Sequence, residues 1–271
     1  SYANRLPYER LYLKNALFEC LHTYHANDKH GEDLHAHEHY LERQLAIAEI
    51  LTIKSQAQLA QDIIQKVKKE AKQRELFRVW DHALIAEHRL LGQIETDASK
   101  FYEKLVAIKR ETLEVGKLSE NHTLIAMENV MSNQLVMKLE AEPNKKTQRE
   151  LEAFISRPII QDKALALSTK AYLSQQHALL QAHNILGNME AMKEVLENLI
   201  DISEQNTWLL LPRMRQVNMN NYITFCMRMK LVEEGNQMIA RVKELMKIST
   251  LKAELNSMLN YLHWVPFNHA T

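Results

Sequence analysis

"ALALSTKAYLSQQHALLQAHNILGNMEAMKEVLENLIDI", residues 164–202, decides the fold. Ala164, Ala171 and Ala178 recur every seven residues, with Leu165, Tyr172, Leu179 and Leu186 beside them. Small side chains along one seam let neighbouring helices approach closely, while larger ones fill the adjoining groove. Gln175 and Ser168 occupy other heptad positions, which argues against an isolated coiled coil. After a break at Leu186-Gly187-Asn188, a second stripe follows: Met192, Val195, Leu199 and Ile202 at three-to-four spacing. Two amphipathic helices joined by a glycine turn make a helical hairpin.

The surrounding chain extends the pattern. Five glycines and five prolines in 271 residues are too few for the many turns of a β-rich fold. Apolar residues recur at helical spacing in Leu13–Leu17–Cys20–Tyr24, in Leu34–Leu41–Leu45–Ala48 and in Phe77–Trp80–Leu84–Leu91. The same spacing returns in Phe101–Leu105–Ile108, in Leu124–Met127–Met131–Leu135 and in Met238–Val242–Leu245. Breaks are expected at "DKHGED", "TDAS", "VGKLSEN", "EAEPNKKTQ", "SRP", "LGN", "LLLP" and "KIST". Asp97, Ser119, Thr147 and Asn188 are the expected N-caps. The fold class is all-α, with about ten to twelve helices. Residues 1–271 read as a single helical domain, with a candidate boundary between halves in the polar stretch 141–150.

Residues 183–202, "HNILGNMEAMKEVLENLIDI", resemble a tetratricopeptide repeat. The resemblance rests on Leu186, Gly187 and Asn188 at the turn, Glu190 and Ala191 after it, then Val195 and Leu199. The step from Gly187 to Ala191 is one residue shorter than that pattern, and Ser203 replaces its closing proline. Looser echoes fall at residues 89–110 and 229–248. The resemblance implies antiparallel hairpins stacked as a right-handed superhelix. It also implies a non-enzymatic scaffold that binds a protein or peptide in a concave groove.

Charge narrows the partners. Thirty-four basic residues balance thirty-four acidic ones, so the excess expected of a nucleic-acid binder is missing. "KVKKEAKQR", residues 66–74, is the densest basic run; without interleaved aromatics it reads as a solvated helix face. No apolar run spans a bilayer, and the N-terminus lacks a signal pattern. Two cysteines far apart, Cys20 and Cys226, suit a reducing, cytoplasmic setting and read as small buried hydrophobes. No phosphate loop, nucleophile elbow or His-Glu-x-x-His occurs, so nothing points to an enzyme or a cofactor. The ending "NYLHWVPFNHAT" carries no polar cap, and the native chain is expected to continue past Thr271.

Two stretches carry the candidate sites. In "NTWLLLPRMRQVNMNNYITFCMRMK", residues 206–230, Met214, Asn218, Tyr222, Phe225 and Met229 share a face, with Asn221 beside them. Methionines adapt to varied partner helices and amides satisfy a peptide backbone, so this is the expected docking face; ordinary core packing explains the same pattern. In "HTYHANDKHGEDLHAHEH", residues 22–39, His22 and His25 stand at i,i+3 and His35 and His39 at i,i+4. Either pair suits a zinc ion, which makes a metal-binding helical protein the alternative. Against it, Leu34, Leu41 and Leu45 define the buried face, so His35 and His39 point away from it while His37 joins the packing. The other reading of the hairpin is a polar turn. His88, between Leu84 and Leu91, reads as a hydrogen-bonded core histidine. A closed apolar cavity would favour a third possibility, a ligand-responsive regulatory bundle.

Overall fold

The computed structural model describes residues 34–208 and 212–248, together with Leu13. Ten helices and one 3-10 turn are found among these, and no strand. They are α1 (Leu34–Ile53), α2 (Ala57–Gln73), α3 (Phe77–Ile94), α4 (Ala98–Ala141) and α5 (Lys145–Ile155). A single turn, α6 (Pro158–Gln161), and the 3-10 turn Lys163–Leu165 follow. Then come α7 (Thr169–Leu186), α8 (Met189–Gln205), α9 (Pro212–Met229) and α10 (Val232–Ile248). The Leu13–Tyr24 stripe lies outside the described residues, apart from Leu13 itself, which is helical and exposed.

Four junctions are built the same way. Ser55, Glu75, Gly187 and Lys230 adopt left-handed φ values of 57°, 49°, 73° and 58°. At each, that residue's N–H donates to the carbonyl three back: Ser55 to Thr52, Glu75 to Lys72, Gly187 to Asn184 and Lys230 to Met227. The next N–H reaches five back: Gln56 to Leu51, Leu76 to Ala71, Asn188 to His183 and Leu231 to Cys226. This is the Schellman pairing, which satisfies two otherwise open carbonyls at a helix C-terminus. The same four residues then start the next helix, because Gln56, Leu76, Asn188 and Leu231 accept its first backbone bond. One left-handed residue therefore ends one helix and aims the next.

The chain forms two compact units, Ser1–Lys117 and Leu118–Thr271. In the first, α1, α2 and α3 pack on one another. Leu41, Leu45 and Ala48 meet Ala60, Ile64 and Val67, and Trp80, Ala83, Leu84 and Leu91 complete the core. The N-terminal half of α4 joins through side chains: Trp80 Nε1–H donates to Glu111 Oε1 at 2.9 Å. Lys68 Nζ lies 2.7 Å from Glu87 and 3.3 Å from Glu111, while Lys72 sits 4.5 Å above the Trp80 ring. Lys68 of the basic run is thus half-buried between two carboxylates distant in sequence, while Lys66, Lys69 and Lys72 stay exposed as a solvated face would have them.

In the second unit, α7, α8, α9 and α10 pack successively, and α5 and α6 rest on α7. Leu151, Ile160, Leu196, Leu199, Ile223, Phe225 and Val242 form its centre. Three polar side chains fasten α4 here. Asn121 bonds both Leu165 O and Leu167 N–H, at 2.8 and 2.9 Å. Glu128 accepts a two-pronged contact from Arg157, both bonds 2.7 Å. Ser132 Oγ donates to Ala178 O at 3.0 Å, with both residues buried. Such closeness needs the small side chain of Ala178.

Several expectations need correction. Gly116 and Ser119 lie inside α4, so "VGKLSEN" is no break. The turns at Ser55 and Glu75 carry no glycine or proline and went unread. Asp97 does cap α4, accepting from Ser99 and Lys100 N–H. The cap of α5 is Asn144, which accepts from Thr147 N–H, and Asn188 stands at the N-cap of α8 without a side-chain capping bond, its amide lying 3.4 Å from His183 Nδ1. Ala164 and Leu165 precede α7 and are exposed, so the buried alanine seam is Ala171, Ala178 and Ala182. On α4, Leu124, Met127 and Met131 face outward, and Ile125, Ser132, Val136 and Leu139 are the buried set. The polar stretch 141–150 lies within the second unit, where it joins α4 to α5 and forms the start of α5.

Two stability outcomes follow from the turns. Gly187→Ala meets no neighbour within 4 Å, so its cost is the left-handed backbone alone, about 1 kcal/mol. Glu75→Gly and Lys230→Gly remove that cost and should each stabilise by about 0.5 kcal/mol. Gly116→Ala, inside an open stretch of α4, should stabilise by about 1 kcal/mol. Urea unfolding checks all four; a destabilising Gly116→Ala would mean the helix does not run through that point.

A pH outcome follows from buried histidines. Burial lowers the pKa of His177 and of His183, against opposing help from Asn218 and Glu194 respectively. Unfolded histidines titrate near 6.5, so the folded state binds fewer protons than the unfolded one just below that value. The contribution of His177 and His183 to the stability of the second unit is fully present above pH ~6.5 and is lost as pH falls through it toward the lowered folded values. Urea midpoints at pH 7 and 5 should show this loss, and His177→Gln/His183→Gln should shrink it.

Candidate interaction surface

The residues of 206–230 divide between interior and surface. Asn218, Tyr222 and Phe225 are buried on α9, Phe225 to 2% exposure, whereas Asn221 is half-buried and Met229 exposed. Met214 stands near the start of α9, with its side chain outside the described set. The arrangement does not gather these six on one outward face. Tyr222 serves the fold: its hydroxyl lies 3.0 Å from Glu234 Oε2, and Lys193 Nζ lies 3.0 Å from the same carboxylate. Burial, then the Glu234 bond, pushes the Tyr222 phenol far above its ordinary range. Burial pushes the Cys226 thiol up to about 11, so it stays protonated as a packed, inert side chain.

The histidine stretch is only partly described. His22 and His25 lie outside the described residues, as does the side chain of His35. His39 is exposed, with Nδ1 3.5 Å from Glu42. His37 Nε2 lies 3.3 Å from Glu70 Oε2, and burial followed by the Arg74 charge lowers its pKa. Among the described residues no cluster of three or more His, Cys, Asp or Glu side chains is disposed to hold a metal. None of their helices is long and apolar enough to cross a membrane.

Two clefts in the first unit flank α3. Its inward residues repeat as expected, but Ile85 falls out of phase with that stripe and stands 40% exposed among polar neighbours. His88, expected in the core, is exposed beside it, and Glu87 is taken by Lys68 and Gln65. On one side of Ile85 a cleft of about 410 Å³ opens between α3 and α4. Leu84 and Ile108 form its floor, Ile85 and Leu113 its walls, and His88 and Lys109 its polar rim. The Thr112 hydroxyl in that cleft is already spent on Ile108 O at 3.0 Å. On the other side a cleft of about 450 Å³ lies between α1 and α3, floored by Leu45 and Ala86. Glu42, Glu49, His82 and Arg89 surround it, with Arg89 paired to Glu49 at 3.1 Å.

One apolar cleft and one charged cleft thus share Ile85 as a common ridge. An apolar side chain entering the first would cover Leu113, which is 68% exposed, and the exposed part of Ile85, above the buried Leu84 and Ile108. The only sequence signal for this surface was an isoleucine out of phase with its stripe. Leu113 carried the same weak signal on α4. Compared with known proteins, this chain matches no family model, no curated protein and no solved structure.

Proposed function

We propose that this chain is a non-enzymatic helical-repeat scaffold that binds a protein segment through a preformed groove. The observation that carries the reading is the pair of clefts flanking Ile85, where apolar side chains stay exposed on a rigid three-helix support. Recognition of an amphipathic helix needs apolar anchors spaced along one face and a groove to receive them. The Leu84–Ile108 floor takes the anchor, Lys109 favours an acidic group beside it, and the Glu49–Arg89 rim orients the polar edge. Recurring left-handed turns support the repeat reading, since they build successive hairpins from one local rule. So does the successive packing of α7, α8, α9 and α10, each against the next. Stacked hairpins of the tetratricopeptide type use that relation to form a superhelix with a concave side. The partner is a protein or peptide. A cytoplasmic location accords with the scarcity of cysteine, two residues far apart in the sequence.

Panning a displayed library of amphipathic helical peptides should select apolar-faced binders with acidic flanks. Ile85→Asp and Leu113→Asp, both at exposed positions, should each weaken such a binder about tenfold or more, by about 1.4 kcal/mol, in fluorescence polarisation. Binders that ignore both substitutions would place the groove elsewhere, and a library yielding none would remove the reading.

A further inference from the structure

We propose that the outer face of α4 in the second unit pairs antiparallel with the same face of a second copy of this chain. Leu124, Met127 and Met131 recur at three-to-four spacing and stand 49%, 60% and 52% exposed. They lie about a third of a turn round α4 from Ile125, Ser132, Val136 and Leu139, which the second unit buries, and the exposed Val130 and Met137 continue the outer face beyond them. A helix in a monomeric protein seldom carries two apolar stripes, because the outer one gains nothing from folding. Here the inner stripe and the Asn121, Glu128 and Ser132 bonds already fix the helix. The outer stripe is left unexplained by the packing of its own unit.

Charge at its two ends selects the occupant. Glu120 and Lys138 fall in line with the stripe, nine residues either side of Asn129 and five helical turns apart. A two-fold axis across α4 near Asn129 sets Glu120 of each copy against Lys138 of the other. The same axis places Met127 against Met131, and both contacts occur twice. An isologous interface requires this self-complementarity: each feature must meet its counterpart at an equal distance from the axis. A parallel pairing would instead set Glu120 against Glu120 and Lys138 against Lys138. A foreign helix would need to supply the pattern that the face itself already holds.

Lys138 is available for this role. Its contact in the single chain, 3.3 Å to Glu150, joins two exposed groups, an arrangement worth little in water. Glu120 is exposed as well. Methionines at the centre suit a helix–helix contact, since their flexible thioethers fill the space between two crossing backbones.

Sedimentation equilibrium of the full chain provides the test, with circular dichroism confirming unchanged helix content in each variant. The wild-type protein should be dimeric at about 100 µM. Met127→Glu/Met131→Glu should be monomeric there. Glu120→Lys and Lys138→Glu should each raise the dimer dissociation constant about fivefold or more, by opposing like charges. The double exchange Glu120→Lys/Lys138→Glu should restore it to within about twofold. A wild-type monomer at that concentration overturns the proposal. So does a dimer indifferent to the methionine substitutions, or one that the double exchange fails to rescue. The cleft variants Ile85→Asp and Leu113→Asp provide the independent comparison, since they test peptide binding and not this pairing.

Discussion

The left-handed residue at each hairpin junction is the constraint from which the rest follows. A helix ends with open carbonyls, and the Schellman pairing closes two of them only if one residue crosses into positive φ. Glycine takes that conformation freely at position 187, whereas Ser55, Glu75 and Lys230 take it at a cost. That cost is tolerated because the turn returns the chain onto the helix it has just left. The returning helix then buries Leu76 and Phe77, or Met192 and Val195, against the helix before it. Local backbone geometry and apolar burial therefore support one another at the same four points.

Between these hairpins α4 is held differently. Besides its buried apolar residues, long or polar side chains fasten it: Trp80, Lys68 and Lys72 reach its carboxylates in the first unit, and Asn121, Glu128 and Ser132 reach outward from it in the second. Charged groups that are half-buried and paired contribute less by attraction than they would cost if left alone. Glu111 shows why: it accepts from the buried Trp80 indole and receives the Lys68 ammonium. Removing either neighbour strands a donor or a charge with little access to water. Within a basic run that otherwise stays at the surface, Lys68 is thus a fastening between helices.

Two outward apolar features remain after the core is assembled, and their chemistry differs. The clefts beside Ile85 are concave, with an apolar floor and polar rims, which suits the insertion of a side chain from elsewhere. The outer stripe of α4 is convex and bears opposite charges at its ends, which suits a matching helix. The proposed peptide groove and the proposed self-pairing face thus draw on different surface chemistry.

The sequence by itself determined the class of the fold and most of its inward faces. Scarcity of glycine and proline excluded a turn-rich architecture, and three-to-four spacing placed Leu41, Leu45, Trp80, Leu84, Val195 and Leu199 inside. It read Gly187 because glycine advertises positive φ, but it could not read Ser55, Glu75 or Lys230, whose left-handed φ has no signature in residue type. It took Gly116 for a break because glycine weakens a helix, although bonds on either side carry α4 through. Periodicity also could not choose between two apolar stripes on one helix. Leu124–Met127–Met131 and Ile125–Ser132–Val136 both fit helical spacing, and the tertiary contacts, the Ser132 bond to Ala178 O among them, decided which faced inward. In the same way, the apparent docking face of α9 went to the core because α8 and α10 close over Tyr222 and Phe225. Spacing along a chain fixes which residues share a helix face; which face meets protein and which meets water depends on neighbours that the chain brings back from afar.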